Sequence, residues 1–222
     1  MKDQSGLSLI ELLVAISLLG VLMLIVSNLY VTSLKTVSVS RGLTYNTKTV
    51  STAMNAVTRV IRAGTANPKS ASVVADPAFV LATRDNLVMY AYVNLDSAAE
   101  KPVMIQLRVD RTTGKIVERR WAAIGPVDGY WTFPNYLTAT PISTRTLGEV
   151  ISPTNLNVFT FTSDTNMKFT PSTNNLSPDE RRSIRSVDVE LTVQSTLTDS
   201  KNKVTLKNTV GIPNLGFTGG EI

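Results

Sequence analysis

The sequence predicts an α+β protein in which one long N-terminal helix precedes an antiparallel β-sheet domain. Two patterns support this fold class. An apolar run from Leu7 to Val31 is followed by apolar residues at helical spacing as far as residue 61, and short alternating runs of β-type residues begin after Pro68. Apolar positions repeat every three or four residues in a helix and every second residue in a half-buried strand, so the change of period marks a change of structure.

The apolar segment from Leu7 to Val31 is long enough to cross a membrane as a helix, which takes about 20 residues. Two ordinary interpretations apply to such a segment. A plain membrane anchor is the stronger one. A cleaved secretory signal is the weaker one, because its apolar core has about 7–15 residues and Val31-Thr32-Ser33 is a poor cleavage site.

Glu11 is the one charged residue in this segment. A carboxylate near the centre of a membrane helix costs about 2.5–3.5 kcal/mol on insertion scales, so such a residue indicates a function. Neither a plain anchor nor a secretory signal needs one. The position of Glu11, four residues after Leu7 and five after Gly6, therefore separates the segment from both classes.

The N-terminus resembles the class III signal of type IV prepilins. Gly6 is followed by Leu-Ser-Leu-Ile-Glu-Leu-Leu-Val-Ala, and Gly20 lies later in the same segment. The resemblance implies that a membrane aspartyl peptidase, the prepilin peptidase, cleaves between Gly6 and Leu7 and methylates the new amine of Leu7. Glu11 then becomes the fifth residue of the mature chain. The family usually has phenylalanine where this chain has Leu7, a difference that bears on methylation rather than on cleavage.

The resemblance also implies a role for Glu11 in assembly. When the helix leaves the lipid and packs in the core of a filament, the buried carboxylate needs an oppositely charged partner. By analogy with the family, the partner is the amine of Leu7 on a neighbouring subunit. This pair would set the axial register between subunits. The flanking charges do not define an orientation by the positive-inside rule, so a cytoplasmic N-terminus is implied by the resemblance alone.

The helix is predicted to continue beyond the membrane, because Val50, Met54, Val57 and Ile61 recur at helical spacing. Gly64 is the predicted stop. The predicted organisation is a leader peptide at 1–6, a helix at 7–64 with its transmembrane part at 7–31, and a β-rich globular head domain at 65–222.

The head is predicted to consist of short strands joined by turns. Val103, Ile105, Leu107 and Val109 alternate with other residues, which is typical of a strand with one buried face, and the turn at 110–114 predicts a hairpin with the strand that follows. The clearest strands are Leu87–Val93, Val103–Val109, Lys115–Trp121, Leu156–Phe161, Ser186–Val193 and Lys203–Val210. The last two are also predicted to pair. Two segments rich in Pro, Asn, Ser and Thr are predicted to be long surface loops, at 123–145 and 167–182.

The plan of one long helix followed by antiparallel strands is similar to that of J-type minor pilins and pseudopilins. This similarity rests on the strand pattern, which ends in the paired runs SVDVELTV and KVTLKNTV, and it covers most of the chain. It implies a minor subunit with a large β domain rather than the major subunit of a filament.

The composition argues against catalysis. The chain has no cysteine and no histidine, so thiol chemistry and Ser-His-Asp or Cys-His arrangements are excluded. No glycine-rich phosphate loop appears. We therefore expect no catalytic residue, no cofactor and no metal. Asp164 and Asn166 supply oxygens at the spacing of a calcium loop, but a following glycine and a bidentate acid are missing, so a turn is favoured there.

Arg119, Arg120 and Trp121 form a possible ligand-contact patch, because two guanidinium groups beside an indole suit phosphates and a stacked base. The exposed end of a strand is the favoured alternative. A local concentration of aromatic residues has two open interpretations, a partner-binding surface or a set of rings that fixes a long loop to the core. Its members are Trp121, Tyr130, Trp131, Phe133 and Tyr136.

The leading hypothesis is a structural subunit of a type IV pilus or type II secretion-like filament. The resemblance implies as partners other pilin or pseudopilin subunits, the prepilin peptidase, an assembly platform protein and an ATPase. It implies a single-pass protein of the inner or cytoplasmic membrane with an extracytoplasmic head, which then enters a surface or periplasmic filament. The alternatives are a filament-borne DNA- or surface-binding adhesin, which the basic clusters at Arg119–Arg120 and at Arg181, Arg182 and Arg185 alone support, and a membrane-anchored receptor or enzyme.

Overall fold

The computed structural model describes residues 8–69, 72–93, 101–127, 130–149, 151–154, 157–197 and 202–215. The chain divides into two compact units, Met1–Thr44 and Tyr45–Ile222. The predicted leader, including Gly6, and the predicted new N-terminus at Leu7 lie outside the described residues. The fold class is confirmed, since a long apolar N-terminal helix is followed by antiparallel β-sheets in a pilin-like α+β architecture.

Helix α1 extends from Leu9 to Arg62, which agrees closely with the predicted helix at 7–64. The helix ends two residues before Gly64, the predicted stop. Gly64 does not adopt the left-handed conformation of a helix cap. Gly64 forms a β-bridge with Ala91. The neighbouring strand is so close that a Cβ at Gly64 would overlap the Cε of Met89.

The strands are, in chain order, β1 (Asn67–Lys69), β2 (Ser72–Asp76), β3 (Phe79–Ala82), β4 (Asn86–Ala91), β5 (Val103–Asp110), β6 (Lys115–Ala122), β7 (Pro126–Val127), β8 (Tyr130–Trp131), β9 (Ser143–Gly148), β10 (Phe159–Ser163), β11 (Lys168–Phe169), β12 (Ile184–Val193) and β13 (Val204–Gly211). A short helix α2 (Pro178–Ser183) precedes β12, and a single 3-10 turn (Pro213–Leu215) follows β13.

Two antiparallel sheets form the head. One has five strands in the order β3-β4-β5-β6-β9, and the other has four in the order β11-β10-β12-β13. Both predicted hairpins are confirmed. Asp110 pairs with Lys115 across the predicted turn, and β12 pairs with β13 along its length, with Val187 opposite Val210. Two further strand pairs, β1-β2 and β7-β8, lie outside the large sheets.

The main core of the head lies between the sheets and the second half of α1. The apolar residues that predicted this part of the helix are buried, and Val57 and Ile61 have no exposed surface. A second, smaller core covers the other face of the five-stranded sheet. It contains Val88, Tyr90, Met104 and Trp121, with Phe133 and Tyr136 packed against it. The five-stranded sheet is thus buried on both faces, which explains why β4 lacks the alternation of a one-sided strand.

The segments predicted to be long loops contain regular structure. Segment 123–145 includes β7, β8 and the start of β9, and segment 167–182 includes β11 and most of α2. Helix α2 begins with a capping box, because the Ser177 hydroxyl accepts a hydrogen bond from the Glu180 backbone amide while the Glu180 carboxylate accepts one from the Ser177 amide. The same segment covers the free edge of β3, where Asn175 accepts from the Ala82 amide at 2.8 Å.

We expect Gly148→Ala to destabilise the head and Gly211→Ala to leave it unchanged. Both glycines lie at the ends of edge strands, but a Cβ at Gly148 would lie 2.8 Å from the Cβ of Ala53, whereas one at Gly211 would meet nothing within 4 Å. Overpacking of this kind costs about 1–3 kcal/mol. Urea unfolding of the two variants, followed by tryptophan fluorescence, measures the difference. Equal stability of both variants would contradict the close packing of β9 on α1.

Candidate functional site

The N-terminal part of α1, from Leu9 to Val31, is apolar on all sides. No other part of the chain that the structure describes covers its large apolar side chains, which are exposed, for example by 82% for Leu9 and 70% for Leu29. Among the described residues, α1 is the one helix long and apolar enough to cross a membrane, by length and composition. A helix that is apolar all round requires lipid or other chains to cover it.

Polar side chains within the apolar part of α1 form hydrogen bonds inside the helix. The hydroxyl of Ser17 donates to the carbonyl oxygen of Leu13 at 2.8 Å, and Thr36 donates in the same way to Thr32 at 3.0 Å. These bonds lower the cost of placing a hydroxyl in an apolar medium. A Cβ at Gly20 would meet nothing within 4 Å, so this position offers room for close approach by another helix.

Glu11 lies in the first turn of α1 and forms a capping box with Ser8. The backbone amide of Ser8 donates to Oε2 of Glu11 at 3.1 Å, and the amide of Glu11 donates to the Ser8 hydroxyl at 3.4 Å. The carboxylate therefore lies at the positive end of the helix dipole, which stabilises its charge.

The sequence contains the signal for this capping box, because Ser8-Leu9-Ile10-Glu11 has the spacing of serine and glutamate at the start of an apolar run. The role predicted for Glu11 was a contact between subunits, and this local bond was not predicted. A carboxylate offers about four acceptor positions, and the bond from Ser8 uses one of them. Glu11 therefore keeps acceptor capacity for a second donor.

Arg119, Arg120 and Trp121 do not form a common exposed surface. Trp121 is 2% exposed, and its Nε1 donates to the carbonyl oxygen of Ala139 at 2.9 Å, so its ring is not available to stack on a ligand. Arg120 bonds to the carboxylate of Glu118 at 2.5 Å. Because successive strand residues point to opposite faces, Arg119 lies on the Trp121 face and Arg120 on the other. The patch inferred from adjacency in sequence is therefore divided by the sheet.

Arg181, in α2, is bonded to the chain's own backbone. Arg181 donates to the carbonyl oxygens of Phe79 and Val80 at 2.9 and 2.6 Å and to that of Leu176 at 3.1 Å. Burial lowers the pKa of the Arg181 guanidinium, opposed by the nearby carboxylate of Asp76. These bonds satisfy the open edge of β3 and assign Arg181 a structural role.

Asp164 and Asn166 lie in the turn between β10 and β11. The Asn166 amide donates to the Ser163 carbonyl oxygen, and Asn166 has a left-handed φ of 61°, which asparagine tolerates well. A guanidinium nitrogen of Arg185 lies 3.9 Å from Oδ2 of Asp164, so a cation already faces this carboxylate. The part of the chain that the structure describes contains no cluster of three or more acidic, histidine or cysteine side chains suited to a metal ion.

A family model described as the prokaryotic N-terminal methylation motif matches residues 1–27. A search of curated proteins found no match. The matched segment includes Gly6, Leu7 and Glu11 and ends within α1. It supports a type IV pilin-like or pseudopilin-like filament subunit, and it implies processing by the prepilin peptidase and assembly with other pilin subunits. Together with the apolar helix, it indicates membrane anchoring.

Proposed function

We propose that the chain is a minor pilin or pseudopilin of a type IV pilus or type II secretion-like filament and has no catalytic activity. The single observation that carries this proposal is the position of Glu11. It is a carboxylate in the first turn of a helix that is apolar on all sides, within a segment that matches the N-terminal methylation motif. A plain anchor gains nothing from such a residue.

The mature chain begins at Leu7 and carries one methyl group on its amine. Before assembly the helix lies in the inner or cytoplasmic membrane, and the head lies outside the cytoplasm. Assembly transfers the helix from lipid to a helical core, which exchanges one apolar environment for another. The apolar surface is covered in both states, so the hydrophobic effect contributes little to the choice between them.

Charge pairing supplies the specificity that apolar contacts lack. In the free subunit the Glu11 carboxylate accepts a bond from the Ser8 amide. In the filament it also accepts one from the amine of Leu7 on a neighbouring subunit. Because a charge inside an apolar core is costly unless it is paired, a subunit in the wrong axial register is disfavoured. This pairing fixes the axial position of each helix.

The remaining partners and the minor role rest on the resemblance to J-type subunits. An assembly platform protein and an ATPase supply the energy for extraction from the membrane. The large head, with its five-stranded and four-stranded sheets, suits a position at the tip or in the initiation of assembly. The Arg119–Trp121 segment gives no support to nucleic-acid binding, because its indole is buried and Arg120 is paired.

Mechanical shearing of the native cells tests this proposal. We expect the processed chain in filaments sheared from the cell surface. If the filament is a periplasmic pseudopilus, the cells must overproduce it so that it extends outward and can be sheared. A chain that stays entirely in the membrane pellet while the major subunit is released would contradict the proposal. A plain inner-membrane lipoprotein or transporter serves as the control for membrane contamination of the sheared fraction.

A further inference from the structure

The head has a cleft of about 530 Å³ on the face of the five-stranded sheet that carries the smaller core. Strands β1, β2, β4 and β8 contribute to it, together with the segment that follows β8. Its wall is strongly aromatic, with Tyr90, Tyr130, Trp131, Phe133 and Tyr136 among the described lining residues. A volume of this size is within the range of small-molecule sites, about 300–1,000 Å³.

The aromatic residues divide into two groups. Phe133 and Tyr136 pack against the smaller core, and the Phe133 ring lies 4.7 Å from that of Tyr90. These rings fix the segment to the sheet. Tyr130 and Trp131 are not part of that core, and Tyr130 is 37% exposed. The side chains of β8 therefore present aromatic surface to the cleft that the core does not use.

The two charged side chains of the cleft form an ion pair, so their charges balance. Lys69 Nζ lies 2.8 Å from Oδ1 of Asp76, and these are the two charged side chains among the described lining residues. Asn67 donates to the carbonyl oxygen of Trp131 at 3.1 Å and so holds β8 in place. Burial, followed by the charge of Asp76, raises the pKa of Tyr90 to about 12, so its hydroxyl remains neutral at physiological pH.

We propose that this cleft binds a neutral oligosaccharide. Tyr130 and Trp131 both line the cleft. They are neighbours on β8, so their rings lie on opposite sides of the strand, and each offers a flat apolar face of the kind that suits the C–H face of a pyranose ring. The Lys69–Asp76 pair places a donor and an acceptor side by side, which matches sugar hydroxyls because each of them both donates and accepts. An anionic polymer fits less well, since the carboxylate of Asp76 repels it and the ammonium of Lys69 is already paired. The binding does not depend on the role of Glu11 in assembly.

Calorimetric titration of the full-length chain tests the proposal. The protein is kept in a zwitterionic detergent without a sugar headgroup, since alkyl maltosides would compete for the site. The probes are the tetrasaccharides of β-linked N-acetylglucosamine, β-linked glucose and α-linked glucose, and tetragalacturonate is the anionic comparison. At least one neutral probe is expected to bind with a dissociation constant below about 1 mM, and more tightly than tetragalacturonate.

Trp131→Ala is expected to weaken that binding by about tenfold or more, as loss of a stacked ring does. Tyr92→Ala is the control, because Tyr92 is a surface aromatic residue, 36% exposed, that is not among the described residues lining the cleft. It should bind the probe as the parent does. Thermal unfolding of both variants checks that they fold. The proposal is overturned if no neutral probe binds, if tetragalacturonate binds more tightly, or if a folded Trp131→Ala variant binds unchanged.

Discussion

Glu11→Ala is expected to remove the chain from sheared filaments while leaving it in the membrane. The substitution deletes the carboxylate that we propose pairs with the amine of Leu7 on a neighbouring subunit. Removing one partner of a buried ion pair costs about 3–5 kcal/mol, which corresponds to a loss of about 100-fold or more in the assembly equilibrium. Membrane insertion should not suffer, because an apolar helix inserts better without a charge. Immunoblots of the sheared and membrane fractions measure the ratio.

Two variants of the same helix separate charge pairing from other effects. Ser17→Ala removes a hydroxyl that bonds only to the Leu13 carbonyl among the contacts described, so assembly should be normal. Ser8→Ala removes the hydroxyl that accepts from the Glu11 amide but keeps the backbone amide that donates to the Glu11 carboxylate. The cost is about 0.5–2 kcal/mol of helix stability. Assembly of Ser8→Ala should therefore fall far less than that of Glu11→Ala. Normal incorporation of Glu11→Ala would remove the central support of the proposed function.

Glu118→Ala is expected to destabilise the head by no more than about 3–5 kcal/mol, the cost of removing one partner of a buried ion pair. Arg120 and Arg145 are 20% and 40% exposed, so water reduces the cost. The Glu118 side chain is 1% exposed and bonds to Arg120 at 2.5 Å and to Arg145 at 2.6 Å. It joins β6 to the edge strand β9. Urea unfolding of the full-length chain in detergent, followed by the fluorescence of the buried Trp121, measures the change.

Glu149→Ala is the matched control for Glu118→Ala. Glu149 pairs with Lys115 at 3.4 Å, but both side chains are well exposed, and a surface pair of this kind contributes about 0–1 kcal/mol. If Glu118→Ala lowers the free energy of unfolding by less than twice as much as Glu149→Ala does, the Glu118 network does not stabilise the head more than a surface ion pair.

The Glu118 network also makes the head sensitive to acid. Burial acts to raise the pKa of this carboxyl, but the hydrogen bonds from Arg145 and Arg120 outweigh it and hold the pKa below the ordinary 4.5. A group whose folded pKa is depressed contributes stability above its unfolded pKa and loses it as the pH falls through the folded value. Stability should therefore fall below about pH 4.5, and less steeply in Glu118→Ala. The depressed pKa values of Asp110 and Glu180 leave a residual slope in that variant.

The sequence predicted best the strands that pair across a clear turn. The single buried face expected for β5 was wrong, because Met104 and Gln106 are buried on its other face. Strands β5, β6, β12 and β13 lie within one or two residues of their predicted bounds, because a turn separates each pair and apolar residues alternate in β5, β12 and β13. Strand β10 begins at Phe159, later than the predicted start, and Leu156 lies outside the described residues. Strand β9 was missed because its residues Ser143–Gly148 are mostly polar and exposed. Its pairing with β6 depends on a long-range contact that no local pattern indicates.

The parts of the candidate site that a sequence motif marks could be predicted. Glu11 was found from its spacing to Gly6, whereas its bond to Ser8 was missed although the capping-box spacing is present. The patch at Arg119–Trp121 conflicts with the strand predicted for the same residues, because a period of two places neighbours on opposite faces. The aromatic cleft could not be predicted, since it depends on how β8 and the segment after it lie on the sheet.

The most direct test of the proposed function is the chemical nature of the mature N-terminus. Intact mass and N-terminal sequencing of the protein from its native membranes are sufficient. We expect a chain that begins at Leu7 and carries the mass of one added methyl group. A chain that still begins at Met1, or one that begins near Lys35, would identify a plain anchor or a cleaved signal and would contradict the role in filament assembly.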